Sequence, residues 1–493
     1  MFEFELPERF RRYVPPAVWL IVTLVLLLIP LKIISYGYLP GDDALRHAAK
    51  AVSGKPWPEI LVVGDTFQID HNLGWHGILG LVHRVTGSGA EGLVLVSVVA
   101  LFLLVNLAAL PWLKRPEAWL VVLLAAMVIS DLPHRFMLGR PFVVTITVLL
   151  TVLFATQNRQ PSRRMFALFA VLIAVCTFVH GVWYLWLLPI AAFVFAGQFR
   201  WSLLLAGAWV AGSIFSSLLC GHPVEYFSNA LLMMSHGLGQ HLTNRTEVSE
   251  FQPFGGDIVV VLMIGGLAAL RAVLRPGASA LAKSPAFWLM CGCWMLGFRV
   301  SRFWEDWGWP AVMVFIATEM DLLFVAQFAA DSWRRLLLVA ILAVAAFLSV
   351  TCDLNQRWTT NLTWQFLSVA EHPELEGWMP GKDGILYSPD MTVFYQTFFK
   401  NPNADWRYMV GYEPALMPAE DFKTYHGILW NFGDAKAYVP WVKKMKPADR
   451  MVLRAGKAER PNIPGLEWNY GVSGLWIGRV SGTNAPLPFK SQD

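Results

Sequence analysis

Long apolar runs separated by brief charged punctuation fill the first 352 residues, and the pattern then changes. A membrane-spanning helix needs roughly 20 mostly apolar residues. About eleven segments meet that need, near 17–36, 92–113, 117–132, 137–156, 165–178, 182–198, 201–220, 257–274, 286–303, 309–330 and 335–352. The fifth and sixth are parted only by Val179, His180 and Gly181, so they read either as two spans or as a re-entrant hairpin. No small-residue cleavage site follows the first segment, which therefore reads as an anchor and not as a removed signal peptide. Beyond residue 352 come charge, Pro-Gly punctuation and short strand-like runs at Gly384–Ser388, Trp406–Tyr412 and Leu475–Val480. Helical stretches near Asp390–Lys400 and Tyr438–Lys446 lie between them, which predicts a small α/β domain. The expected division is a transmembrane domain, 1–352, and an α/β domain, 353–493.

Lys and Arg in the short loops orient the spans. With the N-terminus in the cytoplasm, the inner side receives Arg9, Arg11, Arg12, Lys114, Arg115, Arg159, Arg163, Arg164, Arg200, Arg271, Arg275, Lys283, Arg334 and Arg335. Three larger pieces then fall outside: a first loop near 37–91, a lid-like loop near 221–256, and the tail. Only 15% of residues are charged, against roughly 25% in soluble domains, which excludes an ordinary water-soluble enzyme. A net charge of +4 gives no reason to expect nucleic acid as a partner. The 5 cysteines sit in or beside apolar stretches and read as small buried hydrophobes.

Charges that break the inside rule are the candidates for chemistry. Arg135, Arg140, Arg299 and Arg302 stand beside helix ends at the outer face, where a guanidinium is costly unless it snorkels or binds an anion. Guanidinium forks match phosphate oxygens, and His134, His180, His222, His236 and His241 share that side, so a phosphate pocket is one reading. Directly after the first span come Gly41, Asp42, Asp43, Ala44, Leu45, Arg46 and His47. Helix capping accounts for one carboxylate of this doublet. The other, ahead of a loop holding Trp57, Asp65, Asp70, His71, Trp75 and His76, reads as a general base or as a ligand for a hard cation. The spacing of Asp70, His71 and His76 matches no closed zinc pattern.

An acidic residue just after the first span, opening a helix along the membrane, resembles the GT-C class of integral-membrane glycosyltransferases. That class includes oligosaccharyltransferase catalytic subunits, protein O-mannosyltransferases and lipid A aminoarabinose transferases. The string from Asp42 to Ala49 is similar to the opening of the aminoarabinose transferase group, over about 20 residues of sequence. The resemblance implies a polytopic α-helical membrane protein of about 11 transmembrane helices with a C-terminal periplasmic α/β domain. It implies a bacterial inner-membrane enzyme that takes a sugar from a polyprenyl-phosphate or pyrophosphate carrier, with a glycan, lipid or protein as acceptor. Asp42 falls at the catalytic position with Asp43 beside it; Arg135, Arg140, Arg299, Arg302, His180 and His236 are the candidate donor-phosphate residues. A divalent cation, Mg or Mn, would take Asp42, Asp131 and His134, the alternative being no cofactor. Asp131-Leu132-Pro133-His134-Arg135 departs from a clean Asp-x-Asp, and the tail lacks the Trp-Trp-Asp-Tyr-Gly string of oligosaccharyltransferases. Glycosylation of Asn sequons is therefore not expected. The rival readings are a flippase for a lipid-linked sugar, an O-antigen ligase or polymerase, and an inactive scaffold.

Overall fold

The computed structural model describes residues 7–64, 69–128, 132–157, 159–238, 249–274, 279–431, 434–457 and 459–482. They form two compact units. One comprises Met1–Tyr38, Val96–Pro223 and Val248–Thr359; the other comprises Leu39–Leu95, Val224–Glu247 and Thr360–Asp493.

The first unit is helical. Among the described residues, five helices are long and apolar enough to cross a membrane: Glu8–Ser35, Ala90–Trp112, Phe199–Leu219, Ser301–Gln327 and Trp333–Thr351. Glu117–Met127, Phe142–Gln157, Trp183–Phe195, Ile258–Val273 and Pro285–Gly297 are shorter apolar helices. The helix Val14–Ser35 shows why a bilayer is the natural solvent. Its buried face is Val18, Val22, Leu26, Ile29 and Ile33, at helical spacing, and it packs on Trp333–Thr351. Its exposed face carries Leu20, Leu24, Leu28 and Leu31, equally apolar, which water would penalise and lipid does not. Arg163–Val179 packs on Phe199–Leu219 so closely that a Cβ on Gly212 would stand 2.8 Å from the Ala170 carbonyl. Helix resumes at Ser301, earlier than the expected 309, because Trp304–Gly308 forms a wide helical turn that runs into Trp309–Gln327. That turn sets Arg302 and Asp306 one turn apart on one face.

The second unit gathers the described first-loop residues, Val224–Leu238 and the tail. Its sheet has the order β2-β1-β3-β5-β4, with β1 Ile385–Tyr387, β2 Arg407–Tyr408, β3 Arg450–Arg454, β4 Leu466–Tyr470 and β5 Leu475–Val480. β1 pairs in parallel with β2 and β3, and β5 pairs antiparallel with β3 and β4. The first loop is tied into this sheet: Leu61 bridges Tyr408 beside β2, and Val62 donates to the Tyr408 carbonyl at 2.9 Å. Helix Met391–Lys400 packs on helix Asp43–Ser53, and this fixes the carboxylate doublet against the tail. Trp378, Trp441 and Trp468 are buried, whereas Trp430 is 63% exposed.

Candidate active site

In the second unit, Asp42 is the N-cap of Asp43–Ser53, and its carboxylate accepts a long bond, 3.4 Å, from the Ala44 N–H. The helix stops at Gly54, whose φ of +62° closes it in the left-handed region. Asp43 is held differently: Arg46 Nε donates to its Oδ1 at 2.6 Å. The Arg46 guanidinium lies 4.0 Å from the Tyr412 ring centroid and is 5% exposed. Its Nη1 is buried with no hydrogen-bond partner among the described residues. Trp364 lies where a Cβ on residue 41 would stand, so only glycine fits ahead of the doublet.

One turn along, His47 meets a buried chain of donors. His76 Nδ1 is 2.5 Å from Asp70 Oδ2, and His76 Nε2 is 2.8 Å from His47 Nδ1. An ionised carboxylate only accepts, so His76 carries its proton on Nδ1 and accepts from His47 through Nε2. The lone pair of a neutral His47 then sits on Nε2. Burial disfavours the charge of Asp70, but His76, the Asn72 N–H and Lys50 outweigh it and hold the carboxyl well below its usual range. Burial lowers His76 below the ordinary imidazole value against the opposing pull of Asp70. Burial likewise drops His71 to about 4, with Asp70 pulling the other way. Trp57 packs against both His76 and Tyr412, at 5.8 and 4.8 Å between ring centroids.

The first unit holds the arginines. Arg135 donates to Asp306 Oδ1 through Nε at 3.1 Å and Nη2 at 2.5 Å, and its Nη1 is 2.8 Å from Glu305. Arg140 Nη1 donates to Glu250 Oε1 at 2.6 Å. Arg302 Nε donates to Asp306 Oδ2 at 3.1 Å. Glu250 also stands 3.4 Å from Arg135 and 3.9 Å from Arg302, so one carboxylate touches all three guanidiniums. Among the described residues, three cations thus face three anions, and the network is formally neutral. Beside it lies a small recess lined by Phe142, Thr145, His180, Arg302, Asp306 and Trp307, with His180 Nδ1 3.0 Å from the Thr145 hydroxyl.

Arg135, Arg140 and Arg302 therefore come together, with His180 close by. Arg299 is exposed and pairs with no acid among the described residues. His134 packs among aromatic rings, 6.2 Å from Tyr38 and 5.9 Å from Trp358. His236 lies on the helix Pro223–Leu238, with its side chain outside the described residues. Asp131, Asp65 and His241 also lie outside them. Among the described residues, no three of His, Cys, Asp and Glu gather as metal ligands.

Sequence reasoning passed over Glu250, Glu305 and Asp306, the partners of the arginines. The signal was present for Asp306: a carboxylate among Trp304, Trp307 and Trp309 in an apolar run needs a buried cation.

No protein-family model matches the chain, and no curated protein matches it in sequence. Among solved structures it is similar to the cryo-EM structure of the arabinofuranosyltransferase AftD from Mycobacteria, with a TM-score of 0.53 and 14% identity. The match covers 97% of this chain and 40% of that one, so this chain spans well under half of the neighbour's length. At that identity the likeness is one of fold alone.

Proposed function

We propose that this chain is a GT-C glycosyltransferase that moves a sugar from a polyprenyl-phosphate or pyrophosphate carrier to a glycan, lipid or protein acceptor. The observation that carries the reading is the fold likeness to an arabinofuranosyltransferase over nearly the whole chain. The basic inner loops favour a cytoplasmic N-terminus, and the resemblance to the GT-C class adds eleven spans, a bacterial inner membrane and a periplasmic α/β domain.

The two carboxylates divide the work. Asp43 is committed to Arg46 at 2.6 Å and braces the helix; Asp42 caps the helix through the 3.4 Å bond from the Ala44 N–H and is the proton acceptor in this reading. In the transfer, the acceptor oxygen forms its bond to the anomeric carbon while its proton passes to the Asp42 carboxylate. The bond from that carbon to the carrier phosphate breaks, and the electron pair leaves on the phosphate oxygen. Guanidiniums stabilise that developing charge. Arg135, Arg140 and Arg302 are the candidates, with His180 beside them.

The test is transfer of a labelled sugar from polyprenyl-phosphate donors by protein in nanodiscs. Asp42→Asn is expected to lower kcat by about 100-fold or more while donor binding persists, as loss of a general base does. Asp43→Asn is expected to act less on kcat and more on stability. Unchanged turnover in Asp42→Asn overturns the assignment, and no transfer by the wild type from any donor overturns the reading.

A further inference from the structure

We propose that Glu250 occupies the seat of the donor phosphate in the arginine network and is displaced from it when the donor binds. The inference rests on the transferase reading and deepens it, by naming which carboxylate yields.

The geometry distinguishes the acids. Asp306 is built into helix and bound on both oxygens, Oδ1 by Arg135 and Oδ2 by Arg302, and it is 5% exposed. Exchanging it would break the shortest ion pairs of two guanidiniums at once. Among the described residues, Glu305 pairs with one guanidinium of the three, that of Arg135. Glu250 instead projects from a three-residue turn, Ser249–Phe251, and touches Arg135, Arg140 and Arg302 from one side. A group that presents oxygens to three guanidiniums at 2.6 to 3.9 Å makes the contacts a phosphate would make. The turn is anchored through its backbone: Ser301 Oγ donates to the Glu250 carbonyl at 3.1 Å, and the Ser301 N–H to the Gln252 carbonyl at 2.8 Å. The side chain can therefore rotate away without carrying the turn with it.

Charge supports the exchange. A sugar phosphodiester carries one negative charge, as Glu250 does, so the exchange leaves the charge facing the three guanidiniums unchanged. Once the sugar leaves, the phosphate monoester gains further negative charge against the same three guanidiniums. The seat thus favours the product-like phosphate over the bound donor, which is the direction catalysis requires. A water-sized recess lined by Phe142, Thr145, His180 and Trp307 adjoins Arg302 and Asp306.

The experiment measures binding of farnesyl phosphate and of inorganic phosphate to the full chain in nanodiscs, for the wild type, Glu250→Gln, Glu250→Asp and Arg140→Gln. Removing the competing carboxylate is expected to tighten phosphate binding about 10-fold in Glu250→Gln, since a self-occupied site taxes apparent affinity. Glu250→Asp, which keeps the charge but shortens its reach, is expected to fall between and serves if Glu250→Gln does not fold. Arg140→Gln is expected to weaken binding. Equal or weaker binding in folded Glu250→Gln and Glu250→Asp overturns the proposal, and so does binding that Arg140→Gln leaves intact. Sugar transfer with no tightening sinks the seat but spares the transferase; tightening without any sugar transfer does the reverse.

Discussion

His71 is predicted to make the second unit acid-labile. Its ring is 9% exposed, its Nε2 is buried without a hydrogen-bond partner among the described residues, and burial drops it to about 4. The unfolded chain protonates this imidazole near pH ~6.5, whereas the folded chain keeps it neutral down to about 4. Stability is therefore complete above pH ~6.5 and declines as pH falls through that window, because the unfolded state binds a proton that the folded state refuses. At ~1.4 kcal/mol per pH unit, the loss from this residue is ~2 kcal/mol at pH ~5 and ~3 kcal/mol near pH ~4. Asp70, the neighbouring charge, adds its own loss only lower, since its depressed carboxyl contributes stability that is present above pH ~3.9. His76, also lowered by burial, steepens the same slope, so the informative quantity is a difference between variants. Thermal unfolding followed by tryptophan fluorescence in nanodiscs, at pH ~7.5 and ~5, is the assay. His71→Leu is expected to lose about 2 kcal/mol less than the wild type between those pH values. An identical pH slope in the two proteins would refute the reasoning, because the titration assigned to this ring would then belong to another group.

Two further expectations concern packing in the first unit. Arg335 donates to both oxygens of Glu117, at 2.5 and 2.9 Å, and the side chains are 3% and 0% exposed. Glu117→Ala alone is expected to cost about 3–5 kcal/mol by stranding a buried guanidinium, while Glu117→Leu with Arg335→Met recovers most of it. Equal melting temperatures for the single and double variants would show that the charge is not stranded. Gly212→Ala is expected to cost about 1–3 kcal/mol, since its methyl meets the Ala170 carbonyl and the Ala174 amide at 2.8 and 2.9 Å. A wild-type melting temperature in that variant would mean the two helices part without penalty.

What the sequence disclosed and what it hid divide along physical lines. Membrane helices depend on local composition, so each expected apolar segment carries helix, and the doublet at Asp42 and Asp43 announced a helix start that the structure places there. Strands β1, β2 and β5 fall within the runs read as extended. β3 escaped because Arg450–Arg454 shows three apolar residues between arginines. Arg450 is buried with its protons accepted by the Pro447 and Asp449 carbonyls and by those of Gly377 and Trp378, more than seventy positions away in sequence. The His47–His76–Asp70 chain escaped for the same reason: its members were visible as residues, but their order as a relay is set by tertiary packing.

The arginines make the distinction consequential. Sorting charge by side isolated Arg135, Arg140 and Arg302, and a count of cations alone suggests a strongly positive cradle. Yet their acids lie far away in sequence or inside an aromatic run, and with Glu250, Glu305 and Asp306 in place the described network has no net charge. A phosphate offered to such a network gains nothing from long-range attraction and must compete with a carboxylate already in contact. Selectivity at this site then depends on which carboxylate gives way most cheaply. On the proposal above, Asp306 would give up bonds on both of its oxygens, whereas Glu250, reaching in from a turn whose backbone is pinned by Ser301, would leave its turn undisturbed. If the chain is the transferase proposed above, its affinity for a phosphorylated lipid would be governed by an anion of its own.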